Sequence, residues 1–317
     1  MNVNSLTGIG DKLSVSTMVS SGLGTKSGTI DYTAPLKNNG LTFGVGASRS
    51  EYALGDIYSS LNATGTTSAV YGKLSFPLIA SSSESLSVSF MPQLQNIKDE
   101  QAGSSNPRKA YLATFGADYV KSTTFLSVPS TLDAKLNYTN GRLMFEDATL
   151  ESSDASGTNT QGGFSKLDCS VTITSMINSS VTLKNILNTQ FALANKNLDP
   201  SQYITIGGSN AVRAFPVTQE SSSSGYVYTA ELSRVLPNYD TYSQSAYLFY
   251  DAGRAFNANT SVVSYSSSTL QDAGVGYRIT KDKMFGKLEL AHIIGGTEVS
   301  GMPHYSTKAL FQVGTGW

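Results

Sequence analysis

Along most of this chain, apolar and polar positions alternate with a period of two. Leu13, Val15, Thr17 and Val19 alternate with Ser14, Ser16 and Met18. Val70, Gly72, Leu74 and Phe76 alternate with Tyr71, Lys73 and Ser75, and Val275, Tyr277 and Ile279 with Gly276, Arg278 and Thr280. Tyr226, Tyr228, Ala230 and Leu232 alternate with Val227, Thr229, Glu231 and Ser233. Period two places successive side chains on opposite faces of a strand. One set suits lipid, the other a wet interior. A soluble sandwich gives the same alternation in any single strand, so the number of strands decides. About fourteen such segments occur, starting near residues 12, 27, 41, 66, 85, 109, 131, 165, 180, 225, 244, 270, 287 and 307. Each is near the roughly ten residues that a tilted membrane strand needs.

The connections alternate in size. Short ones fall at 36–40, 176–180 and 281–286, and long polar ones at roughly 53–65, 98–108, 140–163, 208–225, 254–268 and 295–306. Short turns on one side and long loops on the other describe an all-β, antiparallel transmembrane barrel. That order puts 140–163 and 254–268 outside the cell and the short turns in the periplasm. Tyr228, Leu232, Tyr250, Tyr277, Phe311 and Trp317 share the phase expected to face outward, with aromatic rings as interfacial girdles. Phe311, Val313, Thr315 and Trp317 share one face of a last strand that stops on the aromatic.

Composition fits this picture. Only 14% of the 317 residues are charged, net charge is −1, and hydrophobic residues make up 39%, yet there are 17 Tyr, 13 Phe and 29 Gly. No apolar run reaches the length of a membrane helix, and no basic stretch leads into an apolar export signal. Near-neutral charge argues against nucleic acid as a partner. The single Cys169 reads as a small apolar filler.

Two motifs place isolated charges in this background. Gly207 to Phe215 reads GGSNAVRAF, and Phe249 to Gly253 reads FYDAG. A charge inside a membrane protein is costly unless it meets water or a partner. Asp251 shares its phase with Ser245, Tyr247, Phe249 and Gly253, while Ala246, Leu248, Tyr250 and Ala252 look lipid-facing. Asp251 therefore points inward. The loop at 207–225 is expected to fold back into the lumen, with Arg213 presenting its planar fork to Asp251. Gly253 leaves room beside the pair, and Phe215 and Phe249 pack around it.

The same stretches resemble the barrel of the two-partner secretion transporters of the haemolysin secretion/activation type, relatives of the barrel-assembly protein. Asn4 to Leu13 (NSLTGIGDKL) is similar to a turn of that family. So are the hairpin built from Asp31 to Leu36 and Gly40 to Val45, and Leu74 to Ile79 (LSFPLI) at a strand end. Gly225-Tyr226 with Glu231-Leu232 completes the set, together with the two motifs above. The resemblance implies a sixteen-stranded outer-membrane barrel that exports one large exoprotein, a haemolysin or adhesin. On that alignment Met1 to Leu6 is the tail of the second strand, and residues 1–317 are the barrel domain. The first strand, the periplasmic domains and the export signal are then absent. Val212, Arg213, Ala214 and Phe215 correspond to the lumenal latch, and Phe249, Asp251 and Gly253 to its partner on the wall. Phe311, Val313 and Trp317 correspond to the C-terminal signal read by the barrel-assembly machinery. Outer-membrane lipid and lipopolysaccharide are further expected partners, and no cofactor is expected. Position 214 departs from the family's glycine, and alanine there is expected to alter the loop tip slightly.

No catalytic motif appears. His292 falls on the lipid phase and His304 in a long loop. The acidic stretch Glu146, Asp147, Glu151 and Asp154 matches no calcium loop, and Ser221–Ser224 reads as flexible linker. The main alternative is a passive or substrate-specific porin, whose constriction loop carries several charges. Here the loop carries only Arg213 and Glu220. A soluble adhesin is a third reading.

Overall fold

The structure, a computed structural model, describes residues 1–20, 24–36, 39–53, 62–217, 220–239, 241–259, 261, 264, 266–296 and 306–315. Its strands are β1 (Asn2–Asn4), β2 (Lys12–Val19), β3 (Lys26–Pro35), β4 (Thr42–Ala53), β5 (Thr64–Ala80), β6 (Glu84–Gln101), β7 (Ser104–Phe125) and β8 (Val128–Phe145). After a short helix α1 (Ala148–Ser156) come β9 (Gly162–Met176), β10 (Val181–Ala192), β11 (Ile204–Thr205), β12 (Ser221–Ser222) and β13 (Ser224–Tyr239). The last four are β14 (Tyr242–Phe256), β15 (Ser267–Lys281), β16 (Met284–Gly296) and β17 (Thr307–Thr315).

Fifteen strands form one antiparallel sheet in chain order, with β10 pairing directly with β13. β11 and β12 form a separate two-stranded stem in the connection between β10 and β13. This is the antiparallel barrel that the alternation predicts. In lipid every backbone N–H and C=O must find an internal partner, and ladders between neighbouring strands supply them. The fourteen long strands are the expected ones. β1 is added to them, pairing Asn2 to Asn4 with Lys12 to Ser14 across a turn. Asp11 ties that turn by accepting the Thr7 N–H at 3.0 Å.

Cross-strand register keeps the two faces distinct. Leu232, Leu248, Val275 and Leu290 form one row across four strands, and all are exposed on the outer surface. Tyr228, Tyr250 and Tyr277 share their phase, and on β17 Phe311 is 75% exposed. Trp317 lies outside the described residues. The inward phase carries Thr229, Asp251, Asp272 and Glu289, all buried. A one-residue slip in any strand would exchange these sets.

One connection differs from expectation. The segment 98–108 is no long loop: β6 and β7 run on to Gln101 and Ser104, joined by Ala102 and Gly103 at positive φ. Lys98, Asp99 and Glu100 erase the apolar alternation because both faces are wet there, but the ladder continues. By contrast 146–161 leaves the sheet and carries α1, whose first turn is capped by the Asp147 carboxylate accepting the Thr149 and Leu150 N–H groups. The turns at 177–180 and 282–283 are short as expected, the latter only two residues.

Two apolar clusters fill part of the barrel. One gathers Ile206, Val212 and Phe215 from the β10–β13 connection against Val227, Tyr247, Phe249 and Leu270. The other gathers Leu198 from the same connection against Ile97, Leu112, Leu143 and Phe164.

Candidate functional site: a loop held inside the barrel

The connection from 193 to 223 turns inward as a folded hairpin. Its stem pairs Ile204 with Ser222 and Thr205 with Ser221. Above the stem, Ile206 N–H donates to the Glu220 carbonyl at 3.0 Å, and Gly208 N–H to the Val212 carbonyl at 3.1 Å. Gly208 has φ +111°, a conformation that alanine would resist, and a Cβ there would overlap Val217. Ser221 to Ser224 is therefore no linker. Ser223 Oγ accepts the Leu198 N–H at 2.9 Å, Ser224 Oγ accepts the Ala192 N–H at 3.0 Å, and both serines are buried. A serine run reads as flexible, yet small side chains that accept backbone N–H groups suit a crowded strand entry equally well.

The hairpin carries Arg213 to the wall formed by β13 to β16, where the residue is only 7% exposed. Its Nη1 donates to Glu289 Oε1 at 2.7 Å. Its Nε lies 3.2 Å from Asp251 Oδ2, an ion-pair distance without the alignment of a hydrogen bond. Its Nη2 lies 3.6 Å from Glu231 Oε2. The guanidinium plane sits 4.0 Å from the centre of the Phe249 ring, a cation–π distance. Sequence reasoning brings Arg213 and Asp251 together, and they are neighbours here. The single bidentate pair expected there is instead a fan across three carboxylates. Five N–H donors in one plane can serve several acceptors when the acids lie on different strands.

The wall around the seat is equally organised. Thr229 Oγ1 donates to Asp251 Oδ1 at 2.7 Å, Tyr247 OH donates to Glu289 Oε1 at 2.9 Å, and Lys287 Nζ lies 2.8 Å from Glu289 Oε2. Asp251 and Asp272 face each other directly across the β14–β15 ladder. Like charges so placed repel. The loop offsets this with Arg213 on one and the Ala214 N–H on the other, which donates to Asp272 Oδ2 at 2.6 Å. Ala214 does not take positive φ, so alanine costs the tip nothing in backbone strain. Lys308 Nζ closes the far side by donating to the Phe215 carbonyl at 3.4 Å.

Glycines make room for this packing. A Cβ at Gly253 would press on Ile206 and Val212 at 3.1 Å, so the expected space beside the pair is taken by the loop's own apolar residues. Phe249 lies over Gly274 and Tyr247 over Gly276, each ring occupying the space a side chain would need. With its rings flat against the backbone, the wall offers the guanidinium an aromatic face.

Glu289, Asp272, Tyr247 and Thr229 escape motif reasoning, and Glu231 enters it only within the Glu231-Leu232 resemblance, not as a site residue. Glu231 and Glu289 do carry a signal: each is an acid in the inward phase between outward apolar neighbours, the pattern that singled out Asp251. Phe311 and Val313 sit apart from the loop on the outer face of β17. His292 also faces outward, its Nδ1 2.8 Å from Thr307 Oγ1. His304 lies outside the described residues. The acids near 146–154 serve local structure, and no group of metal-ligating side chains occurs among the described residues.

Residues 1–279 match the family described as haemolysin secretion/activation protein ShlB/FhaC/HecB. The chain is 27% identical over 285 residues to the heme/hemopexin transporter protein HuxB of Haemophilus influenzae strain 86-028NP, covering 86% of this chain and 49% of that protein. The chain thus spans about half the length of the curated relatives it matches. CdiB from Escherichia coli superposes with a TM-score of 0.79 at 18% identity over 98% of this chain and 57% of that one. BamA from Haemophilus ducreyi, lacking its first three POTRA domains, superposes with a TM-score of 0.65 at 12% identity over 98% of this chain and 66% of that one.

Proposed function

Because this chain belongs to the ShlB/FhaC/HecB haemolysin secretion/activation family of Gram-negative outer-membrane barrels, we propose that it lines a conduit through which a large partner exoprotein passes from periplasm to cell surface. The loop tip Val212 to Phe215 is the latch of that conduit, and Phe249, Asp251 and Gly253 are its receiving face. The observation that carries this reading is the burial of Arg213 inside the barrel among three carboxylates from three strands. A porin's selectivity charges face water. Here the loop's cation is turned into the wall, which suits a removable closure better than a solute filter.

Chemistry at the seat has one task, holding a loop in place without a covalent bond. The wall contributes Asp251, Asp272, Glu231 and Glu289 with Arg278, Lys287 and Lys308, and Arg213 of the loop enters as a further cation among these acids. A passing polypeptide displaces the tip, and the seat draws it back once the lumen clears. Phe311 and Val313, exposed at the chain's last strand, fit a signal read by the barrel-assembly machinery during insertion into lipid and lipopolysaccharide.

The test is a double-mutant cycle on secretion. Arg213→Ala and Asp251→Ala are each expected to impair export of the partner protein, with the double variant little worse than either. Defects that simply add would show that the two residues act separately, and the latch would fall.

A further inference from the structure

The connection 193–223 touches the barrel twice, and the second contact is not explained by the tip. Between residues 196 and 203 its outward arm crosses to the wall formed by β6 to β9. Asp199, buried, meets Arg108 of β7: Arg108 Nε lies 2.8 Å from Asp199 Oδ2. The same guanidinium reaches Asp99 Oδ2 of β6 at 2.6 Å through Nη2, and Tyr52 OH donates to the other Asp99 oxygen at 3.0 Å. The Arg108 side chain is only 3% exposed. Next to it Gln202 Nε2 donates to Gln95 Oε1 at 2.9 Å, and Leu198 is wholly buried against Ile97, Leu112, Leu143 and Phe164.

The arm also ties two other outer connections together. Asn197 Oδ1 accepts the N–H groups of Ala258 and Asn259, and Lys196 Nζ donates to the Gln161 carbonyl at 2.8 Å. Arg108 lies five residues after Gly103 of the hairpin at Ala102 and Gly103, on the long-loop side of the barrel, so the contact sits near the outer mouth. Arg213 sits deeper, and on β13 to β16 instead.

We propose that residues 196–203 form a second lock that closes the outer mouth independently of the Arg213 seat, with Arg108 and Asp199 as its positioning pair. The inward loop is then a bar bolted at both ends. At the tip the loop brings the cation and the wall the acids; at the arm the wall brings the cation and the loop an acid. Releasing one end leaves the other fastened, so an exported chain must undo both. The proposal rests on reading the loop as a closure, and deepens that reading.

Conductance of the full chain in planar lipid bilayers tests the lock whether or not the chain exports a protein. Asp199→Asn keeps the side-chain oxygen that accepts the Ser201 N–H but removes the charge facing Arg108. It is expected to raise the open fraction roughly tenfold, as loss of one partner of a shielded ion pair shifts a two-state equilibrium. Combined with Arg213→Ala it should open the pore more than either change alone. Exchanging the charges, Arg108→Asp with Asp199→Arg, should return conductance toward the starting value. A pinned variant guards against misfolding: Gln95→Cys with Gln202→Cys in a Cys169→Ser, Arg213→Ala background should stay shut when oxidised and open on reduction. If the pinned pore conducts equally in both states, or if Asp199→Asn leaves conductance at the starting level, the arm is not a lock. Raised conductance without any change in secretion supports the lock and tells against the export reading instead.

Discussion

The two ends of the inward loop are held by similar chemistry laid on opposite sides of the barrel, and they differ in what surrounds the charge. At the tip, Arg213 lies in a field of four wall carboxylates, three wall cations and two aromatic rings. At the arm, Arg108 meets two carboxylates beside a wholly apolar cluster centred on Leu198. Both ends pack into an apolar cluster, through Ile206, Val212 and Phe215 at the tip and Leu198 at the arm, but the tip adds a network of many charged groups where the arm has a single charged pin. An electrostatic seat made of many groups can yield to another polypeptide passing through, because its carboxylates can take other donors. The arm's one pin, Arg108 between Asp99 and Asp199, offers fewer such exchanges.

The largest effect should come from the tip. Glu289→Ala removes the 2.7 Å partner of Arg213 and leaves Tyr247 OH and Lys287 facing an empty site. A cost of about 3–5 kcal/mol is expected, read as loss of loop protection against protease in detergent. If Glu289→Ala equals the parent, the fan of contacts contributes little, and Asp251 alone holds the tip.

At the arm, Leu198→Ala should cost roughly 3 kcal/mol through lost burial and the cavity it leaves. Because Leu198 touches no residue of the tip seat, its effect should add to that of Glu289→Ala. A thermal-melting cycle showing strong coupling would mean that the two ends are one fastening.

The ring-lined wall offers a smaller test. Gly276→Ala places a methyl where the Tyr247 ring lies, with an expected cost of about 1–3 kcal/mol from overpacking. The matching change Tyr247→Ala should relieve the clash while losing the bond to Glu289. Measuring both, singly and together, separates steric crowding from hydrogen bonding at the tip.

The smallest effect should be acid sensitivity outside the barrel wall. Partial burial pushes the Asp154 carboxyl up, but the N–H groups of Gln161 and Thr160 and the hydroxyls of Thr160 and Thr158 prevail and hold it below the usual aspartate value. The folded form therefore gains stability above that usual value, near 3.9, and loses it as pH falls through the lower folded value. Lys196 of the arm donates to Asn159 and Gln161 in the same loop. Acid should thus loosen the 158–161 segment that Lys196 holds, seen as faster hydrogen exchange there as pH falls through that lower value. Unchanged exchange at 158–161 across that range would show that Asp154 does not hold the segment.

Much of this architecture is legible in the sequence because lipid enforces strict alternation. Thirteen residues, such as those of β16, suffice to fix which face Glu289 takes. Alternation fails where both faces are wet, which is why the hairpin of β6 and β7 reads as a loop. The tip is legible through its motif, since an isolated arginine and an isolated inward aspartate in an uncharged background call for each other. The arm is not. Asp199 and Arg108 are 91 positions apart, neither sits in a motif, and Asp99 beside Lys98 and Glu100 looks like one more solvated charge. Only the inward fold of the 193–223 connection across to β7 brings them together.

The rings laid over glycines also bear on inheritance. Phe249 with Gly274, and Tyr247 with Gly276, each fill one shared volume from two strands. At position 276, where the Tyr247 ring fills the space, a descendant that gains a side chain must shrink the ring in the same lineage; at 274 the Leu290 backbone carbonyl also blocks a Cβ, so the glycine stays whatever becomes of Phe249. Tyr247 and Gly276 are therefore expected to change jointly or not at all, so that across related chains a residue on β14 and a residue on β15 travel as one character.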